Sequence, residues 1–340
     1  MGCKKCQYHV GLHCPAFFDF LIVSAFIRGC LCVCAGFWFK EVVRLTYWPF
    51  RSSVWLGVDI QPDGIYMIKL IKNKKSYLVE QMAYGALPVG VIEAGKVRHG
   101  ALLKGMLLEM TVTHGFQGLK TAIALPAQMV RRERLRLPWN NVNEETVKAA
   151  LKREWPEMTG EIRVDFLTHG QVLEGLVQVS VTAAREKHVC QYEACVREAG
   201  LDVKVVDVDI YALQRALCWN FPHANALLYG TDHSVTLLGF DEKNVLVFHQ
   251  WEVDDRQAAH EPILASVQTY QSLYPQLPWR GMVAAGLKDE WRDWQACPLY
   301  HKSLFAGMDV SETAQLSEAW VKRDAFAVAL GLAMHVRRKC

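Results

Sequence analysis

The strongest basic run in the chain is Arg131-Arg132-Glu133-Arg134-Leu135-Arg136. Alternation along a strand would place Arg132, Arg134 and Arg136 on one face. Such a stripe could meet DNA phosphate, attract a partner peptide, or be the solvated outer face of a strand. No aromatic residue interleaves with it, which favours the solvated face. Catalytic patterns are otherwise sparse. There is no G-x-S-x-G, and no Ser/His/Asp or Cys/His order suggests a hydrolase. His223, His233, His249 and His260 are scattered without ligand spacing. Cys190 and Cys195 lie five apart on one predicted helix, a spacing that does not bring them together. Cys3-x-x-Cys6 with His9, His13 and Cys14 has zinc-ligand residue types but lacks a second paired half, so no metal is expected. Trp279, Trp291 and Trp294 sit beside proline and charged residues and read as packing rather than a base-stacking platform.

These side chains must be held by two or three folding units, given 340 residues. A chain that is 51% hydrophobic and 21% charged is neither disordered nor collagen-like nor wholly membrane-embedded. The net charge of +3 is too small to argue for nucleic acid or membrane. It also hides an asymmetry. Residues 1–52 carry Lys4, Lys5, Arg28, Lys40, Arg44 and Arg51 against Asp19 and Glu41, a net +4, so residues 53–340 sum to −1. Six of the eleven cysteines (Cys3, Cys6, Cys14, Cys30, Cys32, Cys34) lie in that first segment too.

The apolar stretch 17–39 is long enough to span a bilayer, but Asp19 and Arg28 oppose it. No small-x-small cleavage site follows, Arg28 spoils a lipoprotein box before Cys30, and Cys6 stands where myristoylation wants Ser or Thr. The extension 1–52 is read either as a membrane-proximal anchor or as a stretch outside the mature protein. The unpaired cysteines of the remainder fit a reducing compartment.

From Val54 the pattern changes to short β-branched runs alternating with amphipathic helices. Val54–Ile60, Ile65–Ile71 and Ser76–Ala86 read as strands, with Pro62-Asp63-Gly64 as the first turn. Leu102, Leu103, Met106, Leu107 and Met110 recur at helical spacing, and Thr121–Leu125 is a strand. Asn143 is a good N-cap before Glu144 and Glu145, with Val147, Leu151 and Trp155 on one helix face. The second half repeats the scheme, with strands at Ala226–Tyr229, Val235–Phe240 and Val245–Val253, a helix from Pro262, and a strand at Gly281–Gly286. The final helix ends in Arg337, Arg338 and Lys339, favourable to its dipole. The expected fold class is α/β with two similar lobes, the boundary falling near 218–224.

Two such lobes resemble the actin/Hsp70/sugar-kinase architecture. More specifically, the chain resembles the PilM family of actin-like, FtsA-like type IV pilus assembly proteins and its enterobacterial relative HofM. The signatures run in family order. They are Leu56-Gly57-Val58-Asp59-Ile60, Leu87-Pro88-Val89-Gly90-Val91-Ile92-Glu93-Ala94-Gly95-Lys96-Val97, Ala122-Ile123-Ala124-Leu125-Pro126 and Leu135-Arg136-Leu137-Pro138. Val181-Thr182-Ala183-Ala184-Arg185, Ala199-Gly200-Leu201, Val206-Asp207-Val208 and Ala329-Leu330-Gly331-Leu332-Ala333 continue the series. The resemblance implies a first lobe over 53–217, a small α+β insertion subdomain over about 119–168, and a second lobe over 218–340.

It also implies three nucleotide turns, holding Asp59, Gln61 and Gly64, then Gly230 and Thr231, then Gly286. All three depart from the family pattern. Gln61 replaces a glycine, Pro62 removes an N–H donor, Asp63 adds a carboxylate, and Tyr66 holds the lysine position. Tyr229 replaces an aspartate and Thr231 a glycine. The expectation is therefore a degenerate site, no catalysis and no required cofactor, with weak ATP/Mg binding and a functional ATPase as the alternative. The family function implied is a scaffold on the cytoplasmic face of the inner membrane, anchored itself only if 17–39 is retained. It would clamp the N-terminal tail of a PilN/HofN-like membrane protein in a pilus-like or DNA-uptake machine. The edge of strands 121–125 and 130–137 is the expected contact, with Ile123, Leu125, Arg132 and Arg134 as its residues; direct DNA binding through 131–136 is a further alternative.

Overall fold

The computed structural model describes residues 53–156, 160–241, 244–252, 260–275, 282–287 and 299–335. All lie in the compact unit Ser52–Cys340. The extension 1–52 with its 17–39 stretch, Val253, Trp279, Trp291, Trp294 and Arg337–Lys339 lie outside the described residues. Among the described residues no helix is long and apolar enough to cross a membrane.

Strands β1 (Ser53–Ile60), β2 (Gly64–Lys72) and β3 (Tyr77–Ala86) form an antiparallel meander, opened by the Pro62-Asp63-Gly64 turn. A small hairpin of β4 (Ile92–Glu93) and β5 (Lys96–Val97) leads to helix α1 (Gly100–Thr113) and strand β6 (Lys120–Leu125). Next come β7 (Val130–Pro138), α2 (Glu144–Glu154), β8 (Ile162–Leu173), β9 (Leu176–Arg185), α3 (Glu186–Glu198), β10 (Asp202–Val208) and α4 (Asp209–Asn220). The second half holds β11 (Ala226–Gly230), β12 (Ser234–Asp241), β13 (Asn244–Glu252), α5 (His260–Leu273), β14 (Met282–Ala285) and β15 (Leu299–His301). The chain closes with β16 (Asp309–Val310), α6 (Glu312–Gln315), α7 (Glu318–Val321) and α8 (Ala327–Ala333).

Besides the β4–β5 hairpin, the described residues form three sheets. The first has the order β10-β6-β1-β2-β3-β16 and the second β13-β12-β11-β14-β15. Each begins with an antiparallel hairpin and continues through parallel strands, the repeated arrangement expected of two lobes. The third sheet, β7-β9-β8, is the insertion. Its alternate residues Leu135, Leu137, Val179 and Val181 pack against Val147 and Leu151 of α2. That helix starts in a reciprocal cap, Thr146 N–H donating to Asn143 Oδ1 at 3.0 Å and Asn143 N–H to Thr146 Oγ1 at 3.1 Å.

The boundaries differ from the sequence reading in three places. The insertion expected over 119–168 is the sheet from Val130 to Arg185, because β8 and β9 are one hairpin turning at Glu174-Gly175. Strand β6 lies outside it, between β1 and β10. Its unbroken burial from Thr121 to Leu125 is that of a strand covered on both faces.

The second lobe expected over 218–340 gives up its C-terminal part to the first. Strand β16 pairs with β3, and α8 wedges between β1 and α4. A Cβ on Gly57 would lie 1.9 Å from the Ala329 carbonyl oxygen, and one on Gly331 1.9 Å from that of Ala212. Only glycine permits these backbone contacts, which accounts for the Leu56-Gly57 and Ala329–Ala333 signatures. Every residue of α8 is buried.

Candidate functional site

The turns predicted to hold nucleotide lie at the ends of β1 and β11 and after β14. Burial pushes the Asp59 carboxyl at the end of β1 up to about 7. It accepts a hydrogen bond from Gln61 Nε2 at 2.5 Å. The Asp63 carboxylate accepts from the Tyr66 hydroxyl at 2.6 Å, and the Asp63 carbonyl accepts from Leu87 N–H and the Tyr84 hydroxyl. Gly64 and Gln61 close the turn through mutual backbone bonds.

In the second turn Thr231 N–H donates to the Ser234 carbonyl at 2.9 Å, and Ser234 N–H returns a bond to Thr231 Oγ1 at 3.1 Å. Gly286, at φ +69°, rests against Gly230, where a Cβ would meet the Gly230 oxygen at 2.2 Å. Tyr229 is buried and donates to the Asp324 and Ala325 carbonyls. Tyr66 packs edge-on against Phe326 with ring centroids 5.1 Å apart. One apolar core runs from Tyr66 and Phe326 through Tyr229 to Val283 and Ala285.

Thus the six predicted residues Asp59, Gln61, Gly64, Gly230, Thr231 and Gly286 are at turns of the two sheets; the first two turns bond within themselves, and Gly286 packs on Gly230. They do not fit a Mg-phosphate group: Pro62 offers no donor, Asp63 brings negative charge, and Tyr66 stands where a lysine would neutralise phosphate. Among the described residues no cluster of three His, Cys, Asp or Glu could hold a metal.

The predicted partner residues separate. Ile123 and Leu125 are 0% and 4% exposed in the middle of the first sheet, so no tail can pair there. Arg132 is half-buried and employed internally, its guanidinium 5.2 Å from the Phe248 ring of β13 and close to Asp209. Its cross-strand neighbour Thr182 hydrogen-bonds to the Tyr211 hydroxyl at 3.0 Å. Arg132 therefore fixes the insertion to α4 and the second sheet, while Arg134 and Arg136 remain exposed. Asp209 strengthens the same joint: both carboxylate oxygens lie 3.1 Å from Ala127 N–H, which leads into β7. Burial raises its carboxyl to about 6.

A groove does exist between the first lobe and the insertion. It is a cavity of about 640 Å³ lined by the β4–β5 hairpin, residues Gln128–Arg131, and the start of α3. Val97, Met129 and Val130 give it an apolar side; Lys96, Arg98, Arg131, Arg185 and Lys187 give it a basic one. Tyr192 donates to the Gly95 carbonyl at 2.8 Å, and Gln191 Nε2 to the Val97 carbonyl at 2.9 Å, fastening the hairpin to α3. The groove opens toward β7, an outer strand of its sheet. A second hollow of about 410 Å³ lies along Glu133–Leu137 against α2. The Leu87–Val97 and Val181–Arg185 signatures both reach this groove, the first through Ala94, Lys96 and Val97 and the second through Arg185, though neither pattern by itself names a site.

The hairpin turn Ala94-Gly95 has φ of +47° and +74°, the positive values that a two-residue type I′ turn demands. Alanine is strained there. Ala94→Asn, which supplies the Asn-Gly pair this turn prefers, is expected to stabilise the chain by about 0.5–1 kcal/mol in thermal or urea unfolding. A midpoint that stays put or drops would contradict this account of the turn.

The family model described as type IV pilus assembly protein PilM matches residues 57–231. Among solved structures, the PilM-PilN type IV pilus biogenesis complex aligns with a TM-score of 0.65 and 18% identity, covering 82% of this chain and 97% of that one. The cytoplasmic domain of EpsL, an inner membrane component of the Vibrio cholerae type II secretion system, aligns at 0.46 and 10%, covering 81% and 94%. The ethanolamine utilization protein EutJ from Carboxydothermus hydrogenoformans gives 0.42 and 9%, covering 84% and 90%. The family match takes in most of the first sheet, the whole insertion and every residue lining the groove. With its two-lobed actin-like fold, the chain belongs to the PilM family of type IV pilus assembly proteins.

Proposed function

We propose that this chain is a non-catalytic assembly scaffold of a pilus-like or DNA-uptake apparatus, related to HofM. It holds the cytoplasmic N-terminal tail of a PilN/HofN-like inner-membrane protein in the groove between the β4–β5 hairpin and the insertion. The observation that carries this is the groove itself. An apolar floor of Val97, Met129 and Val130 continues toward β7, whose outer edge pairs with no other strand of its sheet. An extended peptide adds backbone hydrogen bonds to such an edge and sets alternate side chains into hollows. The predicted nucleotide turns favour a phosphate ligand less, since Pro62 has no N–H and Asp63 is acidic, while Tyr66, Tyr229 and Phe326 belong to one apolar core. The PilN partner of the structurally similar complex supports the choice of occupant. Direct DNA binding loses ground because Arg132, the first residue of the basic stripe, is held against Phe248.

The test is a titration of the chain with a peptide of the partner's N-terminal tail. Micromolar affinity is expected, falling at least about tenfold in Met129→Glu, which puts a charge on the apolar floor. Equal affinity in both would sink the assignment of the groove.

A further inference from the structure

The groove's basic side is more than its apolar floor needs. Lys96, Arg98, Arg185 and Lys187 are exposed there with half-buried His188 beside them, and no aspartate or glutamate lines the cavity. Arg98 is paired with Glu93 at 3.1 Å outside the lining, and Arg131 stacks 5.7 Å from the Trp155 ring. The concentration is local, because residues 53–340 carry a net −1. The start of α3, a helix of 13 residues, adds its positive dipole end. The field is felt by His188, whose proton is held less tightly because of burial and then Lys187, Lys96 and Arg185. Gathering Lys96, Arg185 and Lys187 with no carboxylate in the lining is unfavourable unless an anion meets them.

We infer that this cationic wall is a docking surface for the anionic headgroups of a phospholipid bilayer. The inference rests on the proposed function. A tail that emerges from a membrane-spanning partner reaches only about 3.3 Å per residue, so a groove that grips it close to the bilayer brings its mouth to the headgroups. Lipid phosphates then lie within a Debye length of about 8–10 Å, where each Lys or Arg strengthens binding about fivefold. The bilayer and the tail thereby share the groove: headgroups meet Lys96, Arg185 and Lys187, and the peptide meets Val97, Met129 and Val130.

The experiment is co-sedimentation of the full chain with vesicles of phosphatidylethanolamine and phosphatidylglycerol, set against vesicles of phosphatidylcholine. Binding to the anionic vesicles is expected, weakened at least about tenfold in the Lys96→Glu/Lys187→Glu double variant. The extension 1–52 is present in both proteins, so any membrane contact it makes is common to them. Equal binding by both proteins overturns the inference. So does release of the wild type by inorganic phosphate at constant ionic strength, which would make the site one for free phosphate. Tail binding, measured in parallel with wild type and Met129→Glu, separates the two readings. A chain that binds the tail while its vesicle binding ignores Lys96 and Lys187 keeps the function and loses the lipid surface. A chain that binds vesicles through them but no tail keeps the lipid surface and loses the function.

Discussion

Gly331→Ala is expected to cost at least about 3 kcal/mol of stability, a large share of the 5–15 kcal/mol typical of a folded protein. One added methyl carbon would sit 1.9 Å from the Ala212 carbonyl oxygen, which is backbone and cannot swing aside. Relief requires α8 to back away from α4. That would expose a helix buried on every side and loosen its contact with Gly57 of β1. The readout is the thermal midpoint and soluble yield beside wild type. A variant that melts within a degree or two of the parent would show that α8 does not close the first lobe as described.

The second large effect lies at Asp59 and changes sign with intuition. Replacing this buried acid should stabilise the protein, and only above acidic pH. The folded carboxyl titrates at about 7 against an ordinary value of 3.8, chiefly because burial disfavours the charged form. Between those values the folded state keeps the proton that the unfolded state has released, so stability falls as pH rises from about 4 to about 7. The gap of about 3 pH units corresponds to a loss of up to about 4 kcal/mol, complete above the folded value. Asp59→Asn removes the titration while retaining an acceptor for the Gln61 amide. The variant is expected to unfold at higher denaturant than wild type at pH 8 and to show no such gain at pH 4. An Asp59→Asn protein less stable than wild type at pH 8 would mean that the charged carboxylate has a partner which the described hydrogen bonds do not include. Asp209, raised to about 6 by burial, adds in the same direction.

Much of the fold was legible because local chemistry and tertiary structure agreed. Pro62-Asp63-Gly64 is a turn in any context, Asn143 caps its helix as its type and the following glutamates suggest, and the β-branched runs of both halves became the strands expected. The insertion boundary was harder. A short apolar run such as Thr121–Leu125 announces a strand but not its neighbours, and only pairing with β1 and β10 makes it central. The return of 309–333 to the first lobe depends on contacts between residues more than 200 positions apart, such as Ser311 Oγ donating to the Glu80 carbonyl. No local pattern carries that.

The site divides in the same way. The altered nucleotide turns could be read from residue types, since proline has no N–H and aspartate repels phosphate. The bonding of Tyr229 to the Asp324 and Ala325 carbonyls could not, because those residues lie nearly 100 positions apart. Alternation correctly put Arg132 on one face with Arg134 and Arg136, but alternation is silent on what that face meets. The groove needs three separate segments, 94–98, 128–131 and 185–191, and each looks unremarkable alone.

The central claim is that the groove works without nucleotide. Calorimetric titration of the partner's tail peptide into the full chain, with and without millimolar Mg-ATP, tests it most directly. The account predicts no saturable heat from Mg-ATP itself and tail affinities that agree within about twofold. Saturable Mg-ATP binding together with a tail affinity that depends on it would contradict the account.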